Sequence, residues 1–192
     1  MQVKLLHYTP LEIAVYAIRI CYDSKGDNLG PKDKALVHRI IELGHTSTIE
    51  HIVYNFEIKS ITRVCLAQLT RHRIASYSVK SHRYVKVEEF NIPESIDKLE
   101  VRDLIYKSYK LYQDLIDSGV PKEDARFILP QAATTDLIMS INARSLRNFF
   151  KLRLSPKAQH EIRQLAQNML NSLPEDHIEF FFYDFLELKQ IT

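Results

Sequence analysis

Ile52-Val53-Tyr54-Asn55-Phe56-Glu57-Ile58-Lys59 is the stretch that decides the fold class. Ile52, Tyr54, Phe56 and Ile58 fall on one face of an extended segment, and Asn55, Glu57 and Lys59 on the other. A half-buried strand requires this period of two. Helical patterns flank it on both sides. Upstream, Thr9-Pro10-Leu11-Glu12 has capping-box spacing with Pro at the first helical position, predicting a helix to about Tyr22. A second helix follows Pro31 and stops near Gly44, and Ser47 with Glu50 has the spacing of a further helix start. Downstream, Ile61 to about Arg71 reads as a helix, Arg73 to Ser81 as a loop, and Arg83 to Val87 as a short strand.

A long amphipathic helix is predicted between about Asp97 and Ser118. Leu104, Ile105, Tyr109, Tyr112, Leu115 and Ile116 form its buried side, and Gly119 is its stop. Pro121 starts another helix, ended by Pro130; Thr134 to Ile141 reads as a strand and Ala143 to Leu152 as a helix. Ser155-Pro156 is expected to cap a helix reaching about Leu173, and an aromatic-rich helix follows Pro174. These elements do not alternate as βαβ units. The expectation is an α+β fold, helices packed around a small, mostly antiparallel sheet. At 192 residues one domain spanning 1–192 is the default.

Hydrophobic residues make up 45% and charged residues 26% of the chain, the balance of a globular protein, and no apolar run is long enough to span a bilayer. Met1 to Tyr8 lacks the basic start and apolar stretch of a signal peptide, so a cytoplasmic protein without a membrane partner is expected. Cys21 and Cys65 lie among apolar residues without metal-ligand spacing and read as buried structural thiols.

Charge is unevenly distributed. Residues 58–87 hold seven Lys or Arg and residues 137–160 hold five, and neither segment contains an acid. The remaining 14 cations face 24 acids. Two acid-free segments in an acidic remainder suggest a site for phosphate-bearing ligands. Arg71-His72-Arg73 sits at a helix-to-loop junction, and Lys80, Ser81, His82 and Arg83 follow after a short gap. A guanidinium grips phosphate or a carbonyl edge with paired hydrogen bonds. From the residues alone, a nucleotide site and a solvated basic loop stand level. Gln68, one turn before Arg71 on the same helix face, adds an amide able to read a base or ribose.

At about 100° per residue, Arg144, Arg147, Asn148 and Lys151 share one sector of their helix, opposite Leu146, Phe149 and Phe150. Arg153 projects toward the apolar side, with no acid in its segment. Either it lies past the helix end in water, or it waits in a partly dry pocket for an anion. His45 and His51, with Glu50, lack the one-face geometry of a zinc helix, so no metal is expected. A nucleic-acid-binding protein gripping backbone phosphates, and a regulatory oligomer with a nucleotide pocket but no turnover, remain the alternatives. The first predicts steeply salt-dependent binding and no chromophore.

Arg71-His72-Arg73, seven residues, then Ser81 and Arg83-Tyr84, resembles the signature of the flavin-dependent thymidylate synthases. The resemblance extends to Gly44-His45 with Glu50-His51, to Ala125-Arg126, and to Asn142-Ala143-Arg144-Ser145-Leu146 with Asn148 and Leu152-Arg153. It implies methylation of dUMP at C5, with the carbon from 5,10-methylenetetrahydrofolate and reducing equivalents from NADPH through FAD. It further implies dUMP contacts at Gln68, Arg71, Val79, Lys80, Ser81, His82, Arg83, Arg126 and Arg153. FAD contacts are implied at Ser47, Arg71, His72, Arg73, Val79, Asn142, Arg144 and Asn148, with His45 near the flavin and folate face. Arg153 is the implied catalytic residue, promoting ionisation at uracil N3 and so activating the ring. Ser81 is implied as a donor to the nucleotide phosphate, not a nucleophile. The chain departs from many relatives at Ser78-Val79, where Asn-Glu is common, and at His82, where Gly is common. Such enzymes form homotetramers with shared active sites, and nucleic acid is not an expected partner.

Overall fold

The computed structural model describes residues 1–23 and 30–190. Among them, β1 (Gln2–Tyr8), β2 (Val53–Thr62), β3 (Ala75–Val79) and β4 (Thr134–Asn142) form one antiparallel sheet in the order β1-β2-β4-β3. The helices are α1 (Glu12–Cys21), α2 (Pro31–Glu42), α3 (Arg63–Leu69), α4 (Leu99–Asp117), α5 (Lys122–Ala125), α6 (Ala143–Arg153), α7 (His160–Asn171) and α8 (Glu175–Phe181). The expected α+β class, with a small antiparallel sheet, is what the chain forms.

The alternation in β2 sets the main core. Tyr54, Phe56, Ile58 and Ile61 are fully buried, as are Leu146, Phe149 and Phe150 of α6 and Ile162, Leu165 and Met169 of α7. Each such side chain removed from water stabilises the fold by about 2 kcal/mol. β4 presents Leu137, Met139 and Ile141 to the same core. A smaller cluster gathers Val87, Tyr112, Ala125 and Ala133 beneath α4. Tyr112 is buried as expected, but Leu104 is 68% exposed, because α4 packs on α5 and its flanking turns rather than on the sheet. Gly119 stops α4 at φ +94°, as expected.

Several expected boundaries moved. Thr9 does not cap α1, which begins at Glu12; its Oγ1 accepts from the Val53 amide at 3.1 Å, fastening β1 to β2. The segment expected as a loop contains β3, with Ala75, Tyr77 and Val79 packed on the core and Ser76 and Ser78 outward. Conversely, residues 83–87 form no strand: a turn over residues 82–84, closed by the Tyr84 and Val85 amides on the Ser81 carbonyl, runs into irregular chain. Ser47 opens no α-helix: Thr46–His51 is a 3-10 helix, entered through Gly44 at φ +77°. Ser155 closes a turn, and Gln159 instead caps α7 through Oε1 on the Glu161 and Ile162 amides. The helix expected to run from Pro121 to Pro130 is only the one turn of α5 followed by a 3-10 turn. Cys65 is buried as expected, but Cys21 is exposed, on the outer side of α1.

Two strand-to-helix corners position the site. At Ser60 (φ +56°) the β2 register shifts, and the Ser60 amide donates to Asp136 Oδ1 at 3.0 Å. Thr62 then caps α3 by accepting from the Cys65 amide, while buried Glu161 accepts from both Thr62 N (2.8 Å) and Thr62 Oγ1 (2.5 Å). Asn142 caps α6 in the same way, its Oδ1 accepting from the Ser145 amide at 2.8 Å. Because β2 and β4 are antiparallel, α3 and α6 start at opposite ends of the sheet, and their C-termini meet.

Candidate active site

Where those C-termini meet, a cavity of about 630 Å³ is lined by Glu50, Arg71, His72, Arg73, Ile74, Arg144, Ser145, Asn148, Leu152 and Arg153. The Arg-His-Arg run and the polar face of α6, distant in sequence, therefore face one space. α3 ends at Leu69, so Arg71 leaves from the following turn and not from the Gln68 helix face. That turn is tightly held. The Tyr77 hydroxyl of β3 lies 3.0 Å from the Leu69 carbonyl and 2.8 Å from that of His72, and burial pushes its pKa up to about 12.

Arg153 ends α6 without leaving it. Its Nε donates to His72 Nε2 at 3.0 Å and its Nη2 to the Gln68 carbonyl at 3.3 Å, an unpaired acceptor in the last turn of α3. Gln68 thus reaches Arg153 through its backbone. Among the described residues Arg71, Arg73 and Arg153 form no ion pair, so the cavity keeps their charge. Arg144 differs, because Glu50 lies 2.5 Å from its Nη1. Arg147 leaves the cavity altogether: it makes a bidentate pair with Asp184 at 2.8 and 2.6 Å, bonds the Phe181 carbonyl, and sits over the Phe185 ring. The cationic stripe of α6 is therefore part binding surface and part brace.

Beyond the other end of β3 lies a second basic region. A cavity of about 390 Å³ is lined by Arg63, His82, Arg126, Phe127, Leu129, Pro130, Gln131 and Ala133, with no acid. Burial, then the nearby Arg126 charge, lowers the pKa of Arg63. Two crowded guanidinium groups with no counter-ion among the described residues favour an anion between them. His82 is 7% exposed; its Nε2 donates to the Thr134 carbonyl at 3.1 Å. Burial, and then Arg63, Arg126 and Lys80, hold it below the usual imidazole pKa. Arg83 is paired with Glu123 at 2.7 Å and Lys80 with Asp136 at 3.5 Å. The Ser81 Oγ accepts from the Arg83 amide, leaving its own proton free to donate.

The remaining candidates lie apart. Val79 is partly buried and packs against the core. Asn142 is committed to its cap. Ser47 lines a separate, mostly apolar cavity of about 370 Å³ with Tyr16, Ile20 and Cys21, and His45 is exposed at the head of the 3-10 helix.

The family model described as "Thymidylate synthase complementing protein" matches residues 4–177. The chain belongs to this family. A flavin-dependent thymidylate synthase from Helicobacter pylori is 40% identical over 208 aligned residues, covering 97% of this chain and 100% of the relative. One from Geobacter sulfurreducens is 42% identical, covering 88% and 81%. A crystal structure of flavin-dependent thymidylate synthase ThyX from Helicobacter pylori, complexed with FAD and dUMP, aligns with TM-score 0.83 at 40% identity, over 94% of this chain and 98% of that one. A second structure of that enzyme with FAD and dUMP gives TM-score 0.84 at 37% identity, over 99% of both chains. This thymidylate synthase complementing fold therefore carries its basic residues in two clusters, one beyond each end of β3. Two contributors escaped sequence reasoning. Arg63 is a lone cation in an otherwise apolar helix start, and its crowding with Arg126 appears only in three dimensions. Glu50 read as a helix-start residue, yet it is the partner of Arg144.

Proposed function

We propose that this chain converts dUMP to dTMP, with 5,10-methylenetetrahydrofolate as carbon donor and NADPH as reductant through bound FAD. The observation that carries the reading is the Arg153 guanidinium, fixed by His72 and the Gln68 carbonyl yet unneutralised, at the wall of a cavity lined by further cations.

The residues present fit a flavin nucleotide: Arg71 and Arg73 supply charge for a pyrophosphate, Arg144, paired with Glu50, offers its remaining guanidinium donors, the Asn148 amide supplies a donor and an acceptor, and Ile74 and Leu152 supply apolar wall. When bound, FAD carries the redox chemistry, accepting and delivering the reducing equivalents. The chain's own residues bind, orient and polarise. Arg153 holds a permanent positive charge where the uracil N3–H ionises. It cannot take that proton, which leaves to solvent; it lowers the cost of the resulting ring anion, which makes C5 nucleophilic. Arg71 and Gln68 border the same group. Arg126 and Arg63, with the Ser81 hydroxyl and Arg83, suit the 5′-phosphate; Lys80 and His82 flank them, and Val79 contributes only through its backbone.

These two sets belong to one nucleotide but lie beyond opposite ends of β3. Five residues at about 3.3 Å each place them on the order of 15 Å apart, too far for one dUMP within one chain. Sites shared between copies in a homotetramer account for this, each copy a single domain over residues 1–192 acting in the cytoplasm. Among the described residues no helix is long and apolar enough to cross a membrane. Ser47, Asn142 and His45 then approach flavin or folate across the assembly.

Purified protein is expected to be yellow, its flavin spectrum perturbed by dUMP, with dTMP formed only when methylenetetrahydrofolate and NADPH are both supplied. A colourless protein that takes up no FAD overturns the reading.

A further inference from the structure

We infer that His72 is a positioning residue: it accepts the Arg153 Nε–H through Nε2 and so aims the guanidinium without cancelling its charge. The inference deepens the role just given to Arg153 and rests on it.

Arginine has only donors, so the ring nitrogen 3.0 Å from Arg153 Nε must present a lone pair. That fixes His72 as a neutral imidazole with its proton on Nδ1. The ring is itself held. His72 is 9% exposed, its edge meets Phe149 at 4.9 Å and 75°, and its carbonyl receives the Tyr77 hydroxyl. With Nε bound to His72 and one Nη2 proton on Gln68, the remaining guanidinium donors are left for the cavity.

A carboxylate at position 72 would bind Arg153 more strongly, and the chain uses that solution elsewhere. Arg147 is clamped by Asp184 and Arg144 meets Glu50. There the pair is close to neutral. A group meant to stabilise charge developing on a substrate ring needs its field intact, and a neutral acceptor orients it while leaving the field in place. Burial, and then the Arg153 charge, lowers the His72 pKa, which keeps the acceptor form present at neutral pH. Arg153 and Phe149 face the ring from α6, Tyr77 comes from β3 and the Gln68 carbonyl from α3; Arg71, Arg73, Arg144 and Glu50 share the cavity. Apart from Glu50, already held by Arg144, no acid is among them. Protonation of His72 would set donor against donor and release the guanidinium.

The test compares His72→Phe and His72→Gln in the flavin-loaded enzyme. Phe keeps the ring volume and loses the acceptor; the Gln Oε1 restores an acceptor that does not titrate. His72→Phe is expected to lower kcat by about 10- to 100-fold, the range for a misplaced catalytic group. KM for dUMP should change less, with kcat expressed per flavin-loaded site. His72→Gln is expected to recover most of that loss and to abolish the fall in kcat on the acid side. A Phe variant with the parent's kcat, or a Gln variant no better than Phe, overturns the inference. Nitrogen-15 NMR of histidine-labelled protein reads the same point without turnover. His72 Nε2 should be unprotonated and should shift in Arg153→Ala, and a protonated Nε2 at pH 7 also overturns it. A parent that forms no dTMP would sink the proposed activity but leave the NMR result standing.

Discussion

The N-terminal end of β3 and its C-terminal end are both basic, but they hold their charge differently. Before β3, Arg71, Arg73 and Arg153 form no ion pair among the described residues, and Arg153 is gripped by neutral acceptors. After it, Arg83 is paired with Glu123 and Lys80 with Asp136, leaving Arg63 and Arg126 to face a cavity. An arginine already bonded to a carboxylate has spent much of its field. One held by an imidazole and a peptide carbonyl has not. In the proposed reaction the first region acts on a ring whose charge changes, and the second grips a phosphate that is anionic throughout.

The largest expected effect breaks the first region. Arg153→Ala should lower kcat by on the order of 10²- to 10³-fold while the flavin is retained, since it removes the charge stabilising the ring anion. Unchanged turnover would show that the cation is not used. Next comes the second region. Arg126→Ala or Arg63→Ala should weaken dUMP binding by about 10- to 100-fold, the cost of one charged hydrogen bond, and leave binding of phosphate-free deoxyuridine unaltered. Equal weakening of both ligands would move the phosphate elsewhere.

The smallest effect concerns protonation, and it reaches both regions. Burial is the first cause lowering the pKa of His72, His82 and His177. Below their unfolded pKa, the unfolded chain takes up protons before the folded one does, so stability falls as pH drops below about 6.5. Above it both states are neutral and these residues contribute no slope. Melting temperature should decline from pH 7 to 5, and His177→Asn should flatten part of that decline. An identical slope would remove His177, which is hydrogen-bonded to Tyr54 at 2.8 Å, from the account.

Long, regularly patterned elements were legible in the sequence. The period of β2, the strand β4 and the phase of α6 all appear where periodicity puts them, because burying one face dominates their energetics. β1 and β3 escaped for opposite reasons. β1 inserts only Val3 and Leu5 into the core, while β3 alternates small serines with Ala75, Tyr77 and Val79, a weak signal beside so many charges. Thr9 and Ser155 had the chemistry of caps, but sheet pairing and a tight turn claimed their hydroxyls. In the site, Arg71, Arg73, Arg126 and Arg153 were legible in the sequence but their states were not, and Arg63 was missed. His72 and Arg153 are 81 residues apart in sequence, and Arg147 finds its acid in Asp184, outside the segment whose lack of acids marked it as basic.

The central claim is that the two ends of β3 serve one nucleotide from different copies of the chain. Its most direct test mixes Arg153→Ala and Arg126→Ala chains under conditions that exchange subunits, at a dUMP concentration low enough that neither variant alone gives measurable turnover. Recovered dTMP formation is the predicted result, because one shared site then receives its intact Arg153 from one copy and its intact Arg126 from the other. A mixture that exchanges subunits yet stays as inactive as either variant would contradict the account.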